Sequence, residues 1–354
     1  MEHFRSLGLV GNALMTSNDK KRGSFMFKYS KAIALACAVT LGGLTGGAEA
    51  ATQLRISTAA PDQSPLTDAF RHIKKKMEEA FPGEVTVSVH PASSLFRQGT
   101  ELPAMQRGNL EMASPVTFEI EAQLPEYGVF SSGYVFRDPA HMLKVFNGPI
   151  GEEFYAKVAD KMGLVILDTA YLGTRQVGLR DVKNIKAPKD FSGVKLRMPP
   201  GAAFQTLARA MGVTPLAMPI TEVYLALQTG SIDGQDNPAN MTRDWKFNEV
   251  SKEVVLTQHI VQPVFIAISK TAYDKLTPDQ QKALRAAAKE ATAIEVQKTI
   301  EDEKSAVEGF KKAGIVVSTP DLELFRANAA KLYKEEGYET KWQPGLKDKI
   351  DALQ

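Results

Sequence analysis

Cysteine is nearly missing from these 354 residues: the single one, Cys37, sits in a stretch that reads as removed from the finished protein. A mature chain without cysteine has no disulfides, no zinc–thiolate sites and no thiol nucleophile, so a packed core must supply its stability. Long apolar runs are missing too. The one candidate, Ala32 to Leu44, is rich in Gly and Ala and falls short of the roughly 18 residues that a membrane span needs. The five histidines, His3, His72, His90, His141 and His259, include no pair at the three- or four-residue spacing of metal ligands. No H-E-x-x-H, Walker loop, G-x-S-x-G elbow or dinucleotide fingerprint is present. The expectation is therefore no enzyme, no metal and no cofactor. A zinc or serine hydrolase would have to be assembled from scattered residues. His259, after Thr257-Gln258, reads as a surface or strand-end residue rather than a base.

The first 50 residues look like a processing signal. Lys28 and Lys31 lead into the apolar run, and small residues end it at Ala48-Glu49-Ala50, the A-x-A pattern of a secretory signal peptide at 26–50. Cleavage is expected after Ala50. Met26 stands where such a signal normally starts, which leaves open that residues 1–25 are an upstream misread of the start codon. Ala34-Leu35-Ala36-Cys37 resembles a lipoprotein box only weakly, because Ala holds its first position. Removal of residues 1–50 takes away six Lys/Arg and three Asp/Glu, leaving 37 basic against 38 acidic residues. A chain this close to neutral offers no electrostatic case for nucleic acid or a membrane surface, and a positive site for an anion would have to be local.

The mature sequence opens on an alternating Leu54, Ile56, Thr58, continues after Pro65 with Leu66, Phe70, Ile73, Met77 and Ala80 at helical spacing, and alternates again at Val85, Val87 and Val89. That β-α-β order predicts parallel strands with a right-handed crossover. Leu110 to Val116 and Leu164 to Ala170 read as further strands of one α/β lobe. A second lobe is expected from near Gly173, with a strand at Val194 to Met198, a helix at Ala202 to Met211 closed by Gly212, a helix at Thr221 to Thr229 closed by Gly230, and a returning strand at Gln262 to Ser269. Thr277-Pro278-Asp279-Gln280 is the strongest helix start, a capping box with proline at the first helical position. The apolar stripe behind it runs to Gly314, long enough to cross both lobes at ~1.5 Å per residue, although two helices broken near residue 300 remain an alternative. With no repeat and no flexible linker, several short crossings are expected to tie the lobes.

Three polar residues stand out. Arg175 follows the strand at 164–170, near the carboxyl end where open α/β sheets bind ligands. Arg197 alternates out of phase with Val194 and Leu196 and precedes a turn and a helix start, so it could grip a carboxylate in a two-pronged pair helped by the helix N–H groups. From composition alone an ordinary surface arginine stays open. Asn237, in the expected turn Gly234-Gln235-Asp236-Asn237-Pro238, can both donate to and accept from an oriented solute.

These pieces occur together in Leu172-Gly173-Thr174-Arg175, in Phe191 to Pro199, in Thr221 to Pro238, in Trp245-Lys246-Phe247-Asn248-Glu249-Val250 and in Leu276-Thr277-Pro278. In that order they closely resemble the solute-binding proteins of tripartite ATP-independent periplasmic (TRAP) transporters, of the DctP type. Pro91 to Leu95 and Arg107 to Met112 extend the resemblance over nearly all of the mature chain. It implies a two-lobed α/β periplasmic binding protein fold with hinge-crossing strands and a long helix spanning both lobes. Expected boundaries are residues 51–173 plus about 262–302 for the first lobe and 174–261 plus about 303–354 for the second. It implies a periplasmic receptor for a small organic acid, the carboxylate held by Arg197, supported by Arg175, with Asn237 in the pocket. The implied partners are a large and a small integral membrane subunit, without ATP, and the expected state is a monomer. A protein of the same fold serving another transporter or a sensor kinase is the alternative. Val116 and Ile220 stand where sialic-acid binders of the family place an acidic and an aromatic residue, which argues against sialic acid. Arg97, Gln98, Phe118, Glu119, Trp245 and Gln262 are the expected selectivity residues.

Overall fold

Alternation along Thr52–Ser57 (β1) and Val85–His90 (β2) produces two strands that pair in parallel from Thr52 opposite Val85 to Ser57 opposite His90. The helix Pro65–Ala80 makes the crossover. Ser64 Oγ caps it by accepting from the Thr67 N–H at 3.2 Å, and Phe70, Ile73 and Met77 are its fully buried face. The computed structural model describes residues 51–353, so the expected signal peptide and its cleavage site lie outside the described residues. Further along the chain come Met112–Ala113 (β3), Leu164–Leu179 (β4), Lys195–Met198 (β5), Thr214–Ala217 (β6), Gly234–Pro238 (β7), Glu253–Ser269 (β8) and Val316–Ser318 (β9). Among the described residues they form one sheet in the order β2-β1-β3-β8-β4-β7-β5-β6, with β9 added to β8.

Two of these strands explain the architecture. β4 and β8 have 16 and 17 residues, each about 50 Å long at ~3.3 Å per residue, and run antiparallel from Leu164 opposite Ser269 to Leu179 opposite Glu253. β3, with β1 and β2 beyond it, pairs near the carboxyl end of β8, while β7, with β5 and β6, pairs at the carboxyl end of β4. Two groups of strands thus hang from opposite ends of one ribbon, giving a two-lobed α/β fold. The lobes are tied by two continuous long strands rather than by the several short crossings expected. Register shifts interrupt the ribbon between Tyr171 and Gly173 and again between Arg175 and Val177. Gly173 has a φ of +127°, and a Cβ there would stand 2.4 Å from the Pro238 Cβ and 2.9 Å from a Glu303 carboxylate oxygen. Glycine is required at that point.

The helix Pro278–Lys312 is unbroken, which removes the two-helix alternative. Its capping box is formed as expected: Gln280 N donates to Thr277 Oγ1 at 3.3 Å and Thr277 N donates to Gln280 Oε1 at 3.1 Å. It packs on the helix Pro65–Ala80, on β4, on the helix Ala239–Asp244 and on β9. Among the described residues no helix is long and apolar enough to cross a membrane.

Other expectations are corrected. Of Leu110 to Val116 only β3 is strand, because Pro115 lacks an N–H and the Val116 N–H goes to Glu119 Oε2 at 3.0 Å to open the helix Thr117–Glu121. Gly234 to Pro238 is a buried strand and not a turn, since it pairs with β4 on one side and β5 on the other. The returning strand starts at Glu253, nine residues before the expected Gln262.

Candidate functional site

Arg197 lies on β5 between Leu196 and Met198, and the strand neighbours Leu216 and Gln235 flank it. It is 1% exposed, against the alternative of a surface arginine. Its Nε and Nη2 both donate to the carbonyl of Met218, at 3.0 and 2.8 Å, which locks the plane of the guanidinium. Among the described residues nothing accepts from Nη1, and the side chain lines a pocket between the two strand groups. Burial pulls the guanidinium down to about 10, Asp236 resists that fall and the neighbouring charge of Arg175 adds to it. The expected help from the following helix is reduced, because the Ala203 N–H is taken by Glu121 Oε1 at 3.0 Å.

Arg175 comes from β4, two residues past Gly173, and lines the same pocket. Nε donates to Asp236 Oδ2 at 2.7 Å and Nη2 to the Asp236 carbonyl at 2.6 Å, while the guanidinium lies 5.3 Å from the centre of the Phe204 ring. The Asp236 carboxylate also faces His259 Nε2 at 3.2 Å. Burial alone would push Asp236 up; the charge of Arg175 and the bonds from His259 and Arg175 outweigh it and hold the group below its ordinary value. His259 is fully buried, contrary to the surface position expected of it, because β8 runs through the centre of the sheet. Burial keeps its pKa below the usual histidine value. As a carboxylate can only accept, Nε2 carries the ring proton and Nδ1 accepts from Thr257 Oγ1 at 2.7 Å. Asn237 lines the pocket, with Nδ2 donating to Gln235 Oε1 at 2.5 Å and Oδ1 at 3.5 Å from Arg175 Nη2.

The facing wall comes from the first lobe. Gln98 Oε1 accepts from the Ile220 N–H at 3.0 Å, bridging the cleft, and the neighbouring Arg97 forms an ion pair with Glu222 beyond it. Phe118 packs edge-on against Phe204, ring centres 6.0 Å apart. Glu119 lines the pocket next to Glu101, a residue that sequence reasoning passed over. Val116 and Ile220, where the resemblance departs from sialic-acid binders, line it as well. Trp245 and Gln262 stand elsewhere. Trp245 stacks on Phe247, and Gln262 is buried in β8, donating to Thr117 Oγ1 and the Pro263 carbonyl. Asp236 was also missed as a site residue, although it sits in the segment that carried Asn237. Among the described residues no cluster of three His, Cys, Asp or Glu could hold a metal.

The family model for the bacterial extracellular solute-binding proteins, family 7 (DctP), matches residues 56–340. The sialic acid-binding periplasmic protein SiaP of Vibrio cholerae is 30% identical over 286 residues, 81% of this chain and 88% of the relative. The C4-dicarboxylate-binding periplasmic protein DctP of Rhodobacter capsulatus is 28% identical, over 77% of this chain and 85% of its own. A crystal structure of a TRAP periplasmic solute-binding protein from Roseobacter denitrificans, with bound 3-deoxy-D-manno-oct-2-ulosonic acid, superposes with a TM-score of 0.82 at 37% identity. It covers 86% of this chain and 100% of that one.

Proposed function

The chain belongs to family 7 of the bacterial extracellular solute-binding proteins, and on that premise we propose that it is the receptor of a TRAP transporter, capturing a small organic acid in the cleft between its lobes by the carboxylate. The observation that carries this is the charge balance around Arg197: two buried guanidiniums have one carboxylate, Asp236, and Arg175 holds that carboxylate at 2.7 Å. Arg197 is left with a neutral carbonyl for a partner and lines the pocket, its Nη1 without an acceptor among the described residues. A solute carboxylate supplies the missing charge, and charge-assisted bonds to it contribute ~1.5–3 kcal/mol each in such a site. Arg175 is the supporting cation and Asn237 the adjacent amide.

In this reading residues 51–173 with about 262–302, and 174–261 with about 303–354, move as two lobes. The chain works in the periplasm after removal of its signal. It releases the solute unchanged, as a monomer, to one large and one small integral membrane subunit, with no role for nucleic acid. Closure is driven by contacts that only the closed form makes.

A thermal-shift screen of the protein starting at Ala51 against small organic acids tests the receptor reading. A ligand at 100 times its Kd stabilises by ~2.7 kcal/mol, several degrees on a chain of this size. The expected result is a shift with carboxylates that falls by two or more powers of ten in affinity in Arg197→Ala. Arg197→Lys fails as well, because a point charge does not replace the planar fork. Near-unchanged affinity in either variant would overturn the assignment.

A further inference from the structure

We propose that Glu101 and Glu119 form a second recognition pole of the pocket, one that takes hydrogen bonds from hydroxyl groups, so that the solute is a polyhydroxy monocarboxylic acid and not a dicarboxylate. This rests on the carboxylate reading of Arg197 and adds what the other end of the solute must be.

The two side chains come from separate elements, the first turns of the helices Glu101–Gln106 and Thr117–Glu121, and converge on one backbone donor. The Gly99 N–H lies 3.2 Å from Glu101 Oε2 and 3.2 Å from Glu119 Oε1. Glu119 Oε2 also accepts from the Val116 N–H at 3.0 Å, so the four carboxylate oxygens share two backbone donors, and both side chains line the pocket that Arg197 enters from the other lobe. Glu101 is 6% exposed. Burial first, and then the neighbouring Glu119, pushes Glu101 up to about 8, and burial pushes Glu119 up to about 7. Near neutrality the pair therefore shares a proton, as like charges in one desolvated place must. What remains is a cluster of acceptor oxygens with one donor, which suits hydroxyls. The Thr58 and Ser114 hydroxyls, 2.7 Å apart on the same lining, extend that polar strip. The buried guanidinium of Arg197, its Nη1 without an acceptor among the described residues, is the independent sign that this pocket takes a ligand.

The consequence is discrimination by repulsion as much as by attraction. A second carboxylate placed beside Glu101 and Glu119 meets negative charge in a desolvated wall. An aliphatic acid leaves the remaining acceptor sites of the two carboxyl groups unfilled, and sites built to bind hydroxyls reject analogues that lack them by large factors.

The test is calorimetric titration of the protein starting at Ala51 with D-gluconate, D-glucuronate, hexanoate, 6-aminohexanoate, succinate and the neutral polyol sorbitol. It is repeated for Glu101→Gln, Glu119→Gln, the double variant and Arg197→Ala. The expectation is that at least one of the two sugar acids binds 100-fold or more tighter than hexanoate and succinate. The double variant should lose at least tenfold on that sugar acid and gain at least fivefold on succinate. Tighter binding of succinate than of either sugar acid by the wild type overturns the proposal, and so does tighter binding of 6-aminohexanoate, which would make the pole an ammonium site. A ratio unchanged in a double variant that melts normally overturns it as well; if that variant fails to fold, the wild-type comparison decides alone. Sorbitol binding as tightly as gluconate would instead fail the carboxylate reading, whereas carboxylates that need Arg197 but show no preference for hydroxyls fail only this proposal.

Discussion

Asp236 is the residue on which the arginine patch depends. It is fully buried, holds Arg175 through Nε at 2.7 Å and faces the imidazole of His259 at 3.2 Å. Removing one member of a buried ion pair costs about 3–5 kcal/mol, because the other charge stays desolvated. Asp236→Ala should therefore lower the unfolding free energy by roughly that amount in urea denaturation, well beyond the effect of an ordinary surface substitution. A loss below about 1 kcal/mol would mean that water or a nearby rearrangement compensates Arg175. At this scale the sequence singled out Arg197, since alternation sets it off from Val194 and Leu196, but a surface arginine stayed open until the resemblance favoured a binding role. It did not show Asp236 or Glu101, because their significance lies in partners 61 and 18 residues away, Arg175 and Glu119 respectively.

Among the elements, β4 and the long helix behind it are in close contact. Glu303 accepts from the Thr174 N–H and from the Tyr171 hydroxyl, each at 2.6 Å, so the helix holds β4 on either side of Gly173. Deeper in the same contact Glu295, 1% exposed, accepts from the Tyr171 N–H at 3.1 Å and from Thr299 Oγ1 at 2.8 Å. Burial, helped by the charge of Glu303, pushes Glu295 from its ordinary 4.5 up to about 8. The folded state thus favours the protonated form. The contribution to stability is fully present below about pH 4.5 and is lost as pH rises to and through about 8. For one group the slope reaches at most ~1.4 kcal/mol per pH unit. Thermal melts between pH 5 and 9 should show stability falling with pH in the wild type and less steeply in Glu295→Gln. Parallel curves for the two proteins would show that Glu295 titrates alike in the folded and unfolded states.

For the molecule as a whole, the two lobes meet across the cleft through polar contacts of unequal weight. Gln98 Oε1 accepts from the Ile220 N–H inside the pocket, whereas the Arg97–Glu222 pair at its edge is 55% and 49% exposed. Exposed pairs are worth ~0.2–1 kcal/mol, as water screens them and two long side chains lose freedom. Arg97→Ala should leave solute affinity within about fivefold by titration calorimetry. A loss above tenfold would show that the edge pair drives closure. The two-lobed form and the start of the long helix were legible beforehand because each follows from local signals, the β-α-β order and the capping box, whereas the helix's continuity past residue 300 was not. The strand pairing that makes one sheet of both halves was not, because residues such as Val177 and Asp236 meet only through the antiparallel register of β4 with β7.

The sequence by itself determined the chemistry available: a single cysteine and no metal-ligand spacing among the histidines, one arginine on a short strand, a glycine before a second arginine and a helix start followed by a long apolar stripe. These are consequences of composition, periodicity and cap residues, which act within a few positions of the chain. Only the tertiary structure decided which charges share one desolvated space. It brought Arg175, paired with Asp236, and Arg197 to one wall of the pocket and Glu101 with Glu119 to the facing one. The physical reason is that the state of a buried charge depends on its neighbours and on the water excluded around it, and folding supplies both.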